Sequence, residues 1–215
     1  MQQQQIQERI ASFALLGKAE VLCNTWRRLQ SKSLSILQSI GNIVAQRAAT
    51  FEQPSTLEQH GVDMARLVYK QTESLESLIR DLGSVIDLFE KVTRDWSQLD
   101  LEAARHALKS AARLSAAAET KPVPLSTNSL IQVTSPTAFQ VQNMVSRLAY
   151  MYKEEFGYKL ALFSTLQSNA SSQEQMQLLT DHWDAQTHID TALQEEVCER
   201  TKLYKTVKRV LESVD

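Results

Sequence analysis

Glycine and proline are scarce in this chain, with five and four among 215 residues. That excludes a turn-rich β-sandwich and a doubly wound sheet, which need many more turn residues. There are two cysteines, Cys23 and Cys198, far apart in sequence. They make neither a disulfide framework nor a thiolate metal site and suit a reducing compartment. No run approaches the roughly 18 apolar residues of a membrane span. The glutamine-rich residues 1–7 lack the basic region and apolar core of a secretion signal. A soluble, intracellular protein is expected. Neither sign of charge dominates: the formal net charge is -2, with no global pull toward nucleic acid or anionic membrane.

What the chain does have is alanine, leucine, glutamine, glutamate, lysine and arginine in long segments, the good helix formers. It also has an apolar seam. From Met64 the seam runs through Val68, Gln71, Leu75, Leu78, Leu82, Val85, Phe89, Val92, Trp96, Leu99 and Ala103. Steps of three and four place these side chains on one helix face, close to a coiled-coil heptad. Such a chain is built to lie against other helices.

The spacing predicts four helical segments. The first covers 5–48, with Leu15, Ala19, Leu22, Trp26, Leu29, Ser33, Ile36, Ile40 and Ile43 on its seam, and Pro54 breaks the chain after it. A second helix over 57–117 would be roughly 90 Å long at 1.5 Å per residue, so a bend or gap is expected at Gly61 or Gly83. Residues 119–135, with Pro122 and Pro124, read as an apolar linker that packs in part on the helices or on a partner. Ser135 and Pro136 form a helix start, a capping hydroxyl followed by proline at the first helical position. The third helix, 136–167, has a broad apolar face. The fourth, 173–212, has a seam interrupted by Gln186, Asp190 and Arg200, polar steps that would fix register or partner choice. The expected fold is all-α: elongated antiparallel helical hairpins in a four-helix, coiled-coil-like bundle with one long projecting helix pair. Its division is an N-terminal long hairpin over 1–118, the linker 119–135, and a C-terminal hairpin over 136–215 packing on the first.

Chemistry is thin. His182 and His188 are six apart, which is not a same-face spacing. His60 falls at the start of the second helix and His106 on its seam. No glycine-rich phosphate loop or nucleophile elbow occurs. Glu154 and Glu155 are adjacent, so they point different ways on a helix and do not make a paired acid. No catalytic residue, metal ligand or cofactor is expected. Lys202, Lys205, Lys208 and Arg209 form a basic patch near a helix C-terminus, where cations are favoured. The patch is short and diluted by Glu195, Glu199 and Glu212, so direct nucleic-acid binding is a minor reading. Trp26, Trp96 and Trp183 all sit on seams, as core anchors or as binding hot spots.

Residues 145–155, Val-Ser-Arg-Leu-Ala-Tyr-Met-Tyr-Lys-Glu-Glu, resemble the Met-Tyr-basic-Lys-Glu-Leu helix of the cyclin-dependent kinase 2 interacting protein family. After them come a polar turn and a second helix with an isolated tryptophan, here Trp183. Residues 23–29 and 36–48 resemble that family's first helix, 74–99 its second, and 124–136 its apolar linker. Glu155-Phe156 departs from the family's leucine-rich continuation. More weakly, the Ser-Pro helix start, the Tyr-Lys motif and the tryptophan after the turn resemble the small helical ribosome-biogenesis factor that pairs with this family. The resemblance implies a non-catalytic adaptor that heterodimerises with a paralogous small helical subunit. It would serve a hexameric AAA-type ATPase in replisome proteostasis, genome maintenance and maturation of the large ribosomal subunit. Cyclin-dependent kinase or replication factors would be further partners, with no membrane role and a place in nucleus and cytoplasm. The interface candidates are Trp26, Leu29, Leu82, Phe89, Trp96, Tyr152 and Trp183, with Lys153 and Glu154 as polar rim. The rival readings are a structural subunit of a tethering, kinetochore or spindle complex without an ATPase, a nucleic-acid binder, a homodimer of crossed hairpins, and an enzyme.

Overall fold

Long runs of helix formers with caps at the breaks produce helices. A computed structural model describes residues 2–117, 136–170 and 172–212, with side chains for 7–113, 136–170, 172–207 and 209. Among the described residues the fold is all-α, with no strand. We number the helices α1 (Gln2–Glu52), α2 (Pro54–Gln59), α3 (Met64–Ala117), α4 (Ala138–Ser164), α5 (Leu166–Asn169), α6 (Gln173–Ala185) and α7 (Thr191–Glu212). The linker expected over 119–135 lies outside the described residues.

Several breaks have a local cause, and some differ from expectation. The helix expected to begin at 57 is two elements. Pro54 occupies the first turn of α2, where its missing N–H costs nothing. The α2 helix ends in a Schellman motif: the Val62 N–H donates to the Leu57 carbonyl (3.1 Å) and the Gly61 N–H to that of Glu58 (2.9 Å). Gly61 sits at φ +76°, a conformation that glycine adopts without a Cβ penalty. The Asp63 carboxylate then accepts the Arg66 N–H (3.1 Å) and starts α3. His60 therefore lies in a turn rather than in a helix start. Gly83 is no break. There α3 continues, and a Cβ would stand 3.7 Å from the Phe163 ring, ordinary contact.

The α4 helix begins two residues later than expected. Thr137 caps it: its hydroxyl accepts the Gln140 N–H (3.2 Å) while the Gln140 side chain accepts the Thr137 N–H (2.9 Å); Ser135, expected as the cap, lies outside the described residues. This reciprocal capping box satisfies two orphan donors and leaves Pro136 ahead of the helix. The expected fourth helix is also divided. Gln186 takes the left-handed conformation at the end of α6 (φ 43°), and the Asp190 carboxylate accepts the Leu193 N–H (3.2 Å) to start α7. Of the three polar residues read as seam interruptions, Gln186 is a terminator and Asp190 a cap, while Arg200 lies within α7.

Contacts gather in two compact units. The first comprises Met1–Thr25, Val92–Lys153 and Ile189–Asp215, and the second Trp26–Lys91 and Glu154–His188. Along α1 the shared seam positions Ala19, Trp26, Ser33 and Ile40 are buried. Between them the buried face leans one residue onward, to Cys23, Gln30, Leu37 and Val44, while Leu22, Ile36 and Ile43 are half-buried. On α3 the seam from Leu82 to Ala103 is fully buried. Gln71 is buried too, and donates to the Thr50 hydroxyl (3.2 Å).

Candidate functional site

The densest polar chemistry lies in the second unit, around the last turn of α6. Glu155 and Lys159 stand one turn apart on α4, both side chains 0 % exposed, with Nζ 3.1 Å from Oε1. Lys159 Nζ donates to the Trp183 carbonyl (3.0 Å), as does Gln30 Nε2 (3.0 Å). The last carbonyls of a helix have no partner within it, and a cation there also complements the helix dipole. Lys159 Nζ lies 4.7 Å from the Trp183 ring centroid, within cation–π range. The indole of Trp183 donates to Ser33 Oγ (2.9 Å), and that hydroxyl donates to the Gln30 carbonyl (2.9 Å). The other oxygen of Glu155 accepts the His188 backbone N–H (3.2 Å). Trp26 donates its indole N–H to Gln186 Oε1 (3.3 Å) and packs edge-on to Phe89 at 4.5 Å. Burial holds the Lys159 ammonium below the ordinary lysine range, against the opposing pull of Glu155 and then Asp184. The cluster fastens the end of α6 and the following turn to α1 and α4.

The first unit is held by stacked rings. Trp96 and Tyr152 stack at 5.0 Å between centroids, and Gln194 donates to the Tyr152 hydroxyl (2.8 Å). Phe13 stacks on Tyr204. Ser12 Oγ and His106 Nε2 are 2.9 Å apart, and burial lowers the His106 pKa. Asp190, the α7 cap, also receives Arg147 at 3.6 Å.

These positions decide where the sequence-derived candidates stand. Trp26, Leu29, Leu82, Phe89, Trp96, Tyr152 and Trp183 are all buried within the chain itself. Lys153 and Glu154 are exposed. In the basic run Lys202, Lys205 and Arg209 are exposed, but Lys205 pairs with Glu20 at 3.2 Å, and the neighbouring Arg200 pairs with Glu196 at 2.8 Å. The Lys208 side chain lies outside the described residues. Among the described residues no group of three or more His, Cys, Asp and Glu is placed to hold a metal, and no helix is long and apolar enough to cross a membrane. The sequence reading passed over Glu155 as one of two divergent carboxylates and did not weigh Lys159. Their four-residue spacing on a helix was the available signal.

Residues 11–201 match the family described as Ribosome biogenesis protein C1orf109-like, or CA109-like. The chain belongs to that family. No curated protein matches it. The C1orf109-like match corresponds to the weaker of the two resemblances, not to the cyclin-dependent kinase 2 interacting family that residues 145–155 suggested. A short Met-Tyr-Lys-Glu run carries little family information, because an amphipathic helix asks only for apolar residues at three- and four-residue steps with charged ones between. The C1orf109-like description ties the chain to ribosome biogenesis and names no reaction.

Proposed function

We propose that this chain is a helical adaptor subunit in ribosome biogenesis, acting by holding other proteins together rather than by chemistry of its own. The observation that carries this is the family match across 11–201. Burial of the three tryptophans in the chain's own core supports a preformed subunit that recruits partners through exposed side chains, with Lys153 and Glu154 among them. In its finer form the proposal has antiparallel helical hairpins and a paralogous small helical subunit as heterodimer partner. A hexameric AAA-type ATPase would supply the work of maturing the large ribosomal subunit, in nucleus and cytoplasm. The support for these finer points is the weaker resemblance set out above, that of the Ser-Pro helix start, the Tyr152-Lys153 motif and Trp183 to the small ribosome-biogenesis factor of such a pair.

The test is affinity purification of the endogenously tagged chain at moderate salt, followed by mass determination of the intact assembly. The expected result is an assembly far heavier than one or two copies of the chain, containing pre-ribosomal proteins, a second small helical subunit and an ATPase. Pre-ribosomal proteins without an ATPase would keep the adaptor reading and remove the ATPase. A small assembly with neither would contradict the proposal and favour a structural subunit of another complex.

A further inference from the structure

The outer face of α3 within the first unit carries a second pattern, distinct from the buried seam. Leu101 is 54 % exposed and Leu108 72 % exposed. Seven residues apart, they lie two turns from each other on one side of the helix, about 10.5 Å along its axis. Arg105 stands between them, and Lys109 and Arg113 continue at four-residue steps. All three cations are exposed. Glu102 is the one carboxylate between 101 and 113, and it is engaged by Lys18 at 2.6 Å. None of the three cations makes an ion pair among the described residues. Lys109 and Arg113 also oppose protonation of the neighbouring His106, while Glu8 of α1 favours it.

We propose that this face docks an amphipathic helix of a partner protein that carries acidic residues beside leucine-type side chains. Charge complementarity selects the occupant. Three exposed cations without an ion pair call for carboxylates, and two large exposed leucines call for apolar side chains at matching helical spacing, the helix-against-face mode of recognition. A nucleic acid would satisfy the cations but leave both leucines in water, and residues 101–113 offer no Phe, Tyr or Trp for a base to stack on, the half-buried His106 being bonded to Ser12. The chain's own segment 118–135 is apolar but carries one acid, Glu119, against one base, Lys121, so it lacks the charge to match. The proposal does not depend on whether an ATPase is the larger partner.

The experiment uses the full chain and a synthetic helical peptide of about 20 residues, long enough to hold a helix in water. The peptide carries leucines seven apart flanked by glutamates, and a control replaces the glutamates with glutamine. Binding is read by fluorescence anisotropy at low and moderate salt. The expected result is binding of the acidic peptide, weakened about tenfold or more by R105E/K109E, by L101N/L108N and by the glutamine control, since rim charge and apolar core both contribute. Circular dichroism checks that both variants stay helical, and loss of binding without loss of helicity is required. Absence of peptide binding would overturn the proposal. So would weakening by R105E/K109E alone, with a single-stranded RNA of about 20 nucleotides bound more tightly than the peptide, which would make the face a polyanion site. Concentration-dependent self-association abolished by L101N/L108N would overturn it in favour of a second copy.

Discussion

The two compact units use the same helices to make two kinds of interior. In the second unit the rings are tied by polar groups: both Trp26 and Trp183 donate indole hydrogen bonds, and a buried ion pair sits against Trp183. In the first unit rings stack on rings, and the Trp96 indole N–H has no hydrogen-bond partner. Stacked apolar rings bury area in many nearly equivalent arrangements. A buried ammonium, carboxylate and indole N–H are satisfied in few, so a mismatch costs more. The polar interior stands where α6 ends on a left-handed Gln186 and the chain turns toward α7. A definite geometry there depends on partners outside the helix.

The largest expected effect breaks the buried pair. K159A leaves the Glu155 carboxylate buried without its ammonium partner, held only from the His188 side, and should lower stability in urea denaturation by about 3–5 kcal/mol. E155L/K159M, which removes both charges while keeping volume, should recover most of that loss. If K159A costs no more than an exposed pair, the polar interior does not carry the second unit. The same lysine makes a signed pH prediction. Its folded pKa is below the ordinary lysine value, so between the two the unfolded chain binds more protons, and stability rises with pH across that window. The rise should vanish in E155L/K159M.

A smaller effect sharpens the contrast between the indoles. W183F loses the hydrogen bond to Ser33 and a better cation–π face, whereas W96F loses an N–H that was bonded to nothing. W183F should therefore cost about 1–2 kcal/mol more than W96F, measured as the difference in denaturation midpoint at equal slope. Equal costs would mean that the two interiors are energetically alike.

Caps provide the control. T137A in the first unit and D63A in the second each remove a helix-starting oxygen and should each cost about 1 kcal/mol. A large disparity would point to causes other than the interiors. The smallest effect lies in the first unit. Burial depresses the His106 pKa, so the unfolded chain protonates first as pH falls below the ordinary histidine value, and stability declines until the folded pKa is passed. H106N should flatten that slope.

Much of the helix content and the buried positions Leu82, Val85, Phe89, Val92, Trp96, Leu99 and Ala103 could be read from spacing alone, because a continuous helical face imposes its period on the sequence. The breaks were less legible. Gln186 and Asp190 fall on the three-and-four period of the fourth segment, so the pattern runs straight through a terminator and a cap whose roles depend on backbone geometry. The lean of the α1 face toward Cys23 and Leu37 was hidden because Leu22 and Ile36 are equally apolar. Lys159 was illegible for another reason. A charged residue is counted as surface until the carbonyl that takes its hydrogen bond, 24 residues away on α6, is known. The partner chemistry of Leu101 and Leu108 escaped notice because they lie off the seam.

The central claim is that the tryptophans are spent in the chain's own interior and that partners meet its exposed faces. Acrylamide quenching of tryptophan fluorescence, in the isolated chain and in the purified endogenous assembly, tests it most directly. The account predicts blue-shifted, poorly quenched emission in the isolated chain and little change on assembly. Readily quenched emission from the isolated chain that becomes protected in the assembly would contradict it, and would make the tryptophans the interface.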